Sequence, residues 1–342
     1  MVSLAGRPHL LKKLLGLAGA FLALSIGLWL LVGKPPAPAD SHASLRVMTY
    51  SSFMSAWGPG PEIAKRFHEL TGISIEFQDA GDAGLILEKL KLFPVDAVLG
   101  LDRLALAQAR ERTEWNDLPT LEKPSDWDTD EFAAIDYAPL AFVYRKGEVQ
   151  PPTSLQDLLD SRFAGSVALE DPRTSTPGLQ FFFWVLDEMG EQQGFEYLKQ
   201  LKKSVHSVSP SWSTAYGLFK QKQAKLVFSY LTSPVYHLIE DKSDSYAAAV
   251  FNEGHALQVE FAGIPANCAR CTDAETFLQF LRKPDTQALI MKKNFMLPIA
   301  KDVTAGTPFA NLPLVTVHEL KSADELLSRR DELFEKWRKL GL

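Results

Sequence analysis

Strand-like and helix-like patterns alternate along the first part of this sequence, and this alternation constrains the fold more than any other feature. Residues 45–50 alternate apolar and polar side chains as a strand does, and Ile63, Phe67 and Leu70 then recur with helical spacing. A second alternating run follows at 73–77. Because strands separated by helices pair mainly in parallel, this order predicts an α/β sheet flanked by helices.

The rest of the chain continues the alternation. After a helical run at 86–92, the sequence predicts strands at 97–100, 141–144, 167–169 and 226–230. It predicts further helices at 154–159, 179–189, 195–202 and 274–281, and a terminal amphipathic helix at 323–340. At 342 residues the chain exceeds the size at which one core stops growing, so we expect two packing units.

The amino terminus carries a membrane-directed segment. Residues 14–33 are uncharged, follow three basic residues and end at Lys34. These 20 residues are about long enough to span a bilayer and exceed the apolar core of an ordinary cleaved signal peptide. Small residues at 37–39 and 41–43 suit a signal peptidase, so an anchor and a cleaved signal both stay open. Under either interpretation the basic N-terminal side predicts export of the rest.

Charge separates this segment from the body of the protein. The whole chain has 36 basic and 42 acidic residues, a net charge of −6. Without the first 43 residues these numbers fall to 32 and 41, and the net charge becomes −9. An acidic body offers no electrostatic reason to coat nucleic acid or anionic lipid, which favours a small-molecule or protein partner.

A hydroxyl-rich helix start is the first candidate for binding. Thr174, Ser175 and Thr176 directly precede Pro177, a residue suited to the first helical position. Free backbone N–H groups, hydroxyl groups and the positive end of the helix dipole would converge there, as in an anion site. An ordinary capped helix explains the same residues.

Aromatic residues near predicted turns form the second candidate. They are Tyr50, Phe53, Trp57, Trp212, Tyr216, Tyr230 and Tyr236. Connections at the carboxyl ends of parallel strands commonly hold ligands, so these rings would suit the walls of a pocket for a flat cation. Each ring face would contribute about 0.5 to 2 kcal/mol of cation–π attraction. Core packing is the alternative for any one ring.

Acidic residues and two cysteines complete the candidates. Asp82 and Asp102 stand at element ends, where a carboxylate would meet a cationic ligand or cap the following helix. Cys268 and Cys271 have redox-motif spacing, but their polar surroundings and the exported location favour a local disulfide or free thiols. No further residues nearby complete a zinc site.

Together these segments resemble the periplasmic thiamine-binding receptors of ABC importers, within the type II solute-binding proteins. The resemblance runs from about residue 46 to residue 298. It is carried by Thr49-Tyr50-Ser51-Ser52-Phe53, Trp57-Gly58-Pro59-Gly60-Pro61, Val98-Leu99-Gly100-Leu101-Asp102, Asp171-Pro172-Arg173-Thr174-Ser175-Thr176-Pro177-Gly178-Leu179, Ala215-Tyr216-Gly217-Leu218-Phe219, Ser229-Tyr230, Thr232-Ser233-Pro234 and Leu257-Gln258-Val259-Glu260.

The resemblance implies a two-lobed periplasmic-binding-protein fold of type II, with each lobe a mainly parallel sheet flanked by helices. Residues 44–138 and 262–342 would form lobe 1, and residues 139–261 would form lobe 2. The chain would cross between them near 138–142 and 261–264. Residues 1–43 would be the signal peptide or anchor plus a spacer.

The resemblance also implies the site. By matched position, Tyr50, Trp57, Trp212, Tyr230 and Tyr236 would form aromatic walls, joined by Tyr216, Ser233 and Phe295. Asp82 would lie near the ligand's polar groups, and Thr174, Ser175 and Thr176 would meet its hydroxyl or phosphate end. Two departures stand out. Phe295 occupies the place of a family Trp, and Asp82-Ala83 replaces an Asp-Gly step.

The implied function is capture of thiamine, or its phosphates, by a monomeric periplasmic receptor that delivers it to an ABC permease in the inner membrane. No catalytic residue, metal or cofactor is expected. Two alternatives stay open: a thiamine-degrading enzyme of the same fold, which would use a cysteine nucleophile, and a membrane-tethered ligand sensor.

Overall fold

The computed structural model describes residues 44–121 and 125–342. The predicted membrane segment 14–33, the possible cleavage sites and the spacer all lie outside the described residues. Within the described ranges, no helix combines the length and the apolar character needed to cross a membrane.

Strands and helices alternate as the sequence pattern predicts. The strands are β1 (Leu45–Thr49), β2 (Ile75–Asp79), β3 (Ala97–Asp102), β4 (Phe132–Arg145), β5 (Val167–Glu170), β6 (Val205–Ser209), β7 (Leu226–Tyr230), β8 (Tyr246–Ala248), β9 (His255–Gly263), β10 (Leu297–Pro298) and β11 (Val317–His318). The helices are α1 (Ser51–Met54), α2 (Gly60–Thr71), α3 (Ile86–Leu90), α4 (Leu106–Arg112), α5 (Thr176–Met189), α6 (Glu191–Leu201), α7 (Trp212–Lys220), α8 (Ser233–Ile239), α9 (Cys271–Leu281), α10 (Pro284–Asn294), α11 (Ala323–Ser328) and α12 (Arg330–Leu340).

The strands form one mixed sheet with the order β2-β1-β3-β9-β4-β7-β5-β6. Pairing is parallel toward both ends, in β2-β1-β3 and in β7-β5-β6. It is antiparallel in the centre, where β9 and β4 lie between β3 and β7. The predicted α/β class with flanking helices is confirmed, and the antiparallel centre adds a feature that short alternating runs did not indicate.

The long strand β4 changes partner along its length. Residues 132–139 pair with β9, and residues 140–144 pair with β7. A strand of 14 residues therefore contributes to both halves of the sheet. Almost all of its side chains are buried, so it lacks the alternation that marks a half-exposed strand, and the sequence predicted only 141–144.

Local signals predicted several helix ends well and others poorly. The C-cap at Gly72 is confirmed, since this residue adopts a left-handed conformation with φ of 75° after α2. The predicted helix at 154–159 is wrong, because only a 3-10 turn forms at 156–159. The predicted helix at 323–340 is divided at Arg329 into α11 and α12.

The C-terminal helices pack on the middle of the chain. The Trp337 ring of α12 lies 5.2 Å from the ring of Phe182 in α5, in an edge-to-face arrangement. Lys336 pairs with Glu191 at the start of α6, and Leu333 belongs to the same buried cluster as Phe182. These contacts attach the end of the chain to α5 and α6.

A disulfide joins Cys268, in the loop before α9, to Cys271, the first residue of that helix. The buried carboxylate of Asp96 holds the same loop, since it accepts hydrogen bonds from the backbone N–H groups of Ala269 and Arg270 at 2.9 and 3.2 Å. The loop that the disulfide closes is short, so it removes little conformational freedom from the unfolded chain.

Replacing Cys268 or Cys271 with serine should lower the free energy of unfolding by about 1 to 2 kcal/mol, because closure of so short a loop restricts the unfolded chain only modestly. Urea denaturation without reductant measures the change. Thr272→Ser, at an exposed position in the first turn of α9, is the matched control and should leave stability unaltered. Equal stability of the cysteine variants and the parent protein would contradict this account.

Candidate functional site

A cavity of about 680 Å³ lies at the carboxyl ends of the parallel strands. Tyr50 follows β1, residues 81–83 and 85 follow β2, residues 210–213 follow β6, and Tyr230 ends β7, and all of these line the cavity. A volume of this size suits a small-molecule ligand. The edge of the sheet predicted from strand order is therefore the edge that carries the cavity.

Aromatic side chains supply much of the wall. All seven predicted binding-site rings line it: Tyr50, Trp57, Trp212, Tyr216, Tyr230, Tyr236 and Phe295. Trp57 is 51% exposed, whereas Tyr50 and Tyr216 are each only 6% exposed. The cavity thus has fixed, mostly buried rings and one exposed indole.

Hydrogen bonds fix a stacked pair of rings on α7. The ring centroids of Trp212 and Tyr216 lie 5.0 Å apart at an interplanar angle of 26°. The Trp212 indole N–H donates to the Ser229 hydroxyl at 2.8 Å, and that hydroxyl lies 2.8 Å from the Ser233 hydroxyl. Because each ring has a polar anchor at its far end, the stack presents a preformed face to the cavity.

His237 holds the second ring of this stack from behind. Its Nε2 lies 3.0 Å from the Tyr216 hydroxyl, and its Nδ1 lies 2.6 Å from a carboxylate oxygen of Asp241. Burial lowers the pKa of His237, which favours a neutral ring that donates to Asp241 and accepts from Tyr216. The sequence analysis missed this residue, although its position four residues before Asp241 is a helical spacing.

Tyr236 and Phe295 form a second aromatic corner, with centroids 5.2 Å apart and ring planes at 81°. Lys220 lies at the same corner. Its Nζ donates to the Tyr236 hydroxyl at 2.7 Å and lies 4.7 Å from the centroid of that ring. Among the described residues that line the cavity, Lys220 is the one basic side chain.

Asp82 connects two helix starts. One carboxylate oxygen accepts the Trp212 N–H at 2.9 Å, and the other accepts the N–H groups of Gly84 and Thr176, both at 3.4 Å. Asp82 therefore caps the 3-10 turn at 83–85, which confirms the predicted N-cap. It also accepts hydrogen bonds from the first residues of α5 and α7. Burial raises its pKa, and these backbone N–H groups oppose that rise.

The hydroxyl-rich helix start reaches the cavity only through Thr176. The Thr174 hydroxyl donates to the carbonyl oxygen of Pro210 at 2.7 Å, and Ser175 is 1% exposed beneath the wall. Neither of these two residues lines the cavity, whereas Thr176 and Ser233 do. The N–H group that begins α5 points to Asp82, so the predicted anion position holds the protein's own carboxylate.

Three carboxyl groups form a row across the centre of the sheet. Glu260 of β9 pairs in register with Asp102 of β3 on one side and with Asp136 of β4 on the other. All three are at most 4% exposed, and Glu260 lines the cavity. Acidic side chains directly opposite one another repel when ionised, so such a row is unusual in a structural core.

Neutral donors surround this row. The Tyr50 hydroxyl donates to Glu260 at 2.7 Å, the Asn294 side-chain amide donates to Asp136 at 2.9 Å, and the Gln180 amide donates to Asp102 at 3.0 Å. These amides and hydroxyls satisfy lone pairs without neutralising charge. Local sequence patterns indicated Asp102 but not Glu260 or Asp136 as site residues, although Asp136 interrupts a long apolar run of β4.

Burial dominates the titration of the row. It raises the pKa of Asp102 to about 6 and that of Asp136 to about 7. Burial first, and the nearby Asp136 second, raise the pKa of Glu260 well above its ordinary value. A positive charge placed in the cavity would favour ionisation of Glu260. Within the described ranges, no cluster of three or more His, Cys, Asp or Glu residues has the geometry of a metal site.

Comparison with known proteins places this chain in a family. Residues 99–312 match the model of the bacterial extracellular solute-binding proteins. The thiamine-binding periplasmic protein of Escherichia coli (strain K12) is 37% identical over 314 residues, which cover 89% of this chain and 95% of that protein. The thiamine-binding periplasmic protein of Brucella abortus is 36% identical over 287 residues, covering 81% and 85%.

A solved structure supports the same relationship. A periplasmic thiamin binding protein superimposes on this chain with a TM-score of 0.81 at 35% sequence identity, over 90% of this chain and 99% of that one. The likeness therefore extends across almost the whole described part of the chain and includes both halves of the sheet.

Asp82→Ala should lower the free energy of unfolding by about 1 to 3 kcal/mol, because the backbone N–H groups that begin α5 and α7 lose their shared acceptor. Asp82→Asn keeps one acceptor oxygen and should lose less. Urea denaturation at neutral pH measures both, with the exposed Asp117→Ala as the control. If Asp82→Ala were as stable as Asp117→Ala, the carboxylate would not join these helix starts.

Proposed function

Since this chain belongs to the bacterial extracellular solute-binding protein family, we propose that it is a receptor that captures thiamine in its cavity and delivers it to an ABC transporter. The observation that carries the proposal is the combination, in one cavity, of aromatic walls with Glu260, the central member of a row of buried carboxyl groups. The names of the relatives, which are thiamine-binding proteins, agree with that chemistry.

Thiamine has the features that this cavity would select. It joins a permanently positive thiazolium ring to a flat aminopyrimidine ring and carries a short hydroxyethyl group. Each stacked ring face would contribute about 0.5 to 2 kcal/mol of cation–π attraction. Tyr50 links the two kinds of recognition, because its ring lines the cavity while its hydroxyl bonds Glu260. We propose twelve ligand-binding residues: Tyr50, Trp57, Asp82, Thr174, Ser175, Thr176, Trp212, Tyr216, Tyr230, Ser233, Tyr236 and Phe295. Thr174 and Ser175 do not line the cavity and would act from behind its wall.

Glycine at position 100 allows Tyr50 to take this position. Gly100 has a φ of 97°, and a Cβ atom added there would lie 2.5 Å from two atoms of the Tyr50 ring. A larger residue would therefore displace the ring. The resemblance segment 98–102 thus supports the site through backbone geometry rather than through a ligand contact.

Phosphate esters of thiamine would need a positive partner. The starts of α5 and α7 bond Asp82, so we propose that a phosphate group would lie near Lys220 instead. Phe295, at the same corner, packs edge-to-face against Tyr236 where the resemblance implies a larger indole ring. Thiamine and its esters would then share one aromatic site and differ at the Lys220 end.

Lobe assignment forms part of the same proposal. We propose that residues 44–138 with most of the segment after 262 make one lobe, and that residues 139–261 with the last helices make the other, which would close over the ligand. The partner change of β4 between residues 139 and 140 supports this boundary. The packing of α12 on α5 and α6 favours placing the last helices with the second lobe instead of the first.

Location and partners follow from the family. We propose that the protein acts in the periplasm as a monomer, that its partner is an inner-membrane permease, and that residues 14–33 either direct export or tether the receptor. An enzyme of the same fold would need a free cysteine nucleophile in the cavity, but the two cysteines are joined to each other and do not line it. A tethered sensor rests on residues 14–33 alone.

Titration of the purified protein with thiamine should give a saturable change in tryptophan fluorescence, because two indole rings line the cavity. Trp57→Ala should weaken binding by about 1 kcal/mol or more. Trp127→Ala removes an indole that packs on Tyr137 instead of lining the cavity, and it should keep the affinity. No saturable signal at micromolar thiamine would disprove the ligand assignment.

Lys220→Gln should weaken binding of thiamine monophosphate by roughly two- to fivefold, as expected for an exposed charge pair, and should leave thiamine affinity nearly unchanged. The exposed Lys222→Gln is the control, since Lys222 does not line the cavity. Competition binding at low ionic strength measures the ratio of the two affinities. An equal loss for both ligands would show that Lys220 does not meet the phosphate.

A further inference from the structure

Two carboxyl groups meet at the cavity without a positive partner. Asp136 and Glu260 are opposite one another on β4 and β9, next to a register shift in the ladder. They are 1% and 4% exposed, so water screens their repulsion poorly. Glu260 also lines the cavity, so a bound ligand would lie beside one member of the pair.

The groups in hydrogen-bond contact with the pair are neutral. Glu260 accepts from the Tyr50 hydroxyl at 2.7 Å and from the Gln258 amide at 3.2 Å. The Asn294 amide donates both to Asp136 and to the Tyr50 hydroxyl, each at 2.9 Å. The two carboxyl groups therefore belong to one connected network that includes a ring of the cavity wall.

Charged groups on the neighbouring elements add further negative charge. From β3, Asp102 stands opposite Glu260. Burial first, and then the charges of the pair and of Asp82 and Glu170, raise the pKa of Tyr230 at the end of β7. Burial raises the pKa of Asp102, and the positive charge of Arg103 opposes that rise. Among the described residues, Lys292 and Lys293 of α10 form no ion pair with Asp136 or Glu260, and Asn294 is that helix's contact with the pair.

Two ionised carboxylates in such a place would repel strongly, so the pair retains a proton. Burial raises the pKa of Asp136 to about 7, and it raises the pKa of Glu260 well above the ordinary value of a glutamate. The proton belongs to the pair as a unit, because each group sets the titration of the other. The Tyr50 and Asn294 donors stabilise whichever oxygen atoms carry the charge.

We propose that uptake of a cationic ligand expels a proton from the Asp136–Glu260 pair, so that the receptor exchanges one proton for one positive charge. This inference rests on the proposed function. The carboxyl O–H bond breaks, the proton leaves to solvent, and the resulting carboxylate pairs with the ligand's fixed charge. The net charge of the buried site is the same before and after binding, so no uncompensated charge is buried.

The exchange has a definite pH dependence. Below the pKa of the pair in the free protein, binding requires loss of a proton, so affinity should rise with pH by up to tenfold per pH unit. Above that pKa the free pair is already ionised, and the affinity should level off. A neutral ligand of the same shape would gain nothing from ionisation and should show no such rise.

Calorimetric titration with thiamine measures the exchange directly. Titrations at about pH 6 in buffers of different ionisation enthalpy should show release of up to one proton per thiamine bound, and release should fall at about pH 8 as the free pair ionises. Saturable thiamine binding with no proton release at either pH would overturn this inference and leave the proposed function standing. Absence of thiamine binding would overturn the proposed function itself.

Variants assign the proton to the pair. Glu260→Gln and Asp136→Asn should each abolish most of the proton release and flatten the pH dependence of affinity. Glu76→Gln makes the same chemical change at an exposed position on β2 and should behave as the parent protein does. Proton release that persists unchanged in both pair variants would overturn the assignment.

A measurement on the free protein does not depend on thiamine. Infrared spectra at neutral pH should contain the carbonyl stretch of a protonated carboxyl group that disappears in Glu260→Gln and in Asp136→Asn. Thermal denaturation of each variant shows whether it is folded. The infrared spectrum of the more stable variant then decides whether the pair holds the proton. If neither folded variant removed such a band, the pair would not hold the proton.

Discussion

The row of buried carboxyl groups across β3, β9 and β4 is the constraint on which the rest of the site depends. Glu260 lies between Asp102 and Asp136, and like charges at this spacing destabilise a sheet unless protons or cations neutralise them. The surrounding fold meets this requirement only with neutral donors such as Tyr50 and Asn294. The charge of the row therefore has to be balanced by protons or by a cation at the point where the sheet meets the cavity.

Asp82 adds a further carboxyl group to the lining of the cavity. A helix start normally offers partial positive charge to an anion, and α5 and α7 both begin at this wall. The first N–H groups of both helices donate to Asp82, so the protein's own carboxylate occupies the place of an anionic ligand. What remains toward the ligand is a set of aromatic faces and acidic groups, with Lys220 at one corner.

Local patterns predicted the α/β class, most strand positions and six of the seven rings of the wall, because these depend on alternation and on turns that follow parallel strands. The seventh ring, Phe295, was indicated by the resemblance, and Phe53, which the local pattern also favoured, is 1% exposed and does not line the cavity. Long-range pairing could not be predicted in this way. The row of acids exists only because β9 inserts between β3 and β4. In the sequence, β9 lies more than a hundred positions after either of these strands. Ser175 was assigned to the cavity from its helix-start pattern, and only the depth of packing shows it lying beneath the wall.

Charge balance connects these observations to selectivity. A buried carboxyl group is stable as the neutral acid or as one half of an ion pair, whereas an isolated carboxylate is not. A neutral ligand leaves the protonated pair as it is, and an anionic group near Glu260 adds repulsion without compensation. A flat cation both stacks on rings such as Trp212 and replaces the proton, so the walls and the carboxyl groups act on the same molecule. Shape recognition and charge recognition in this cavity are therefore coupled through Tyr50, which takes part in both.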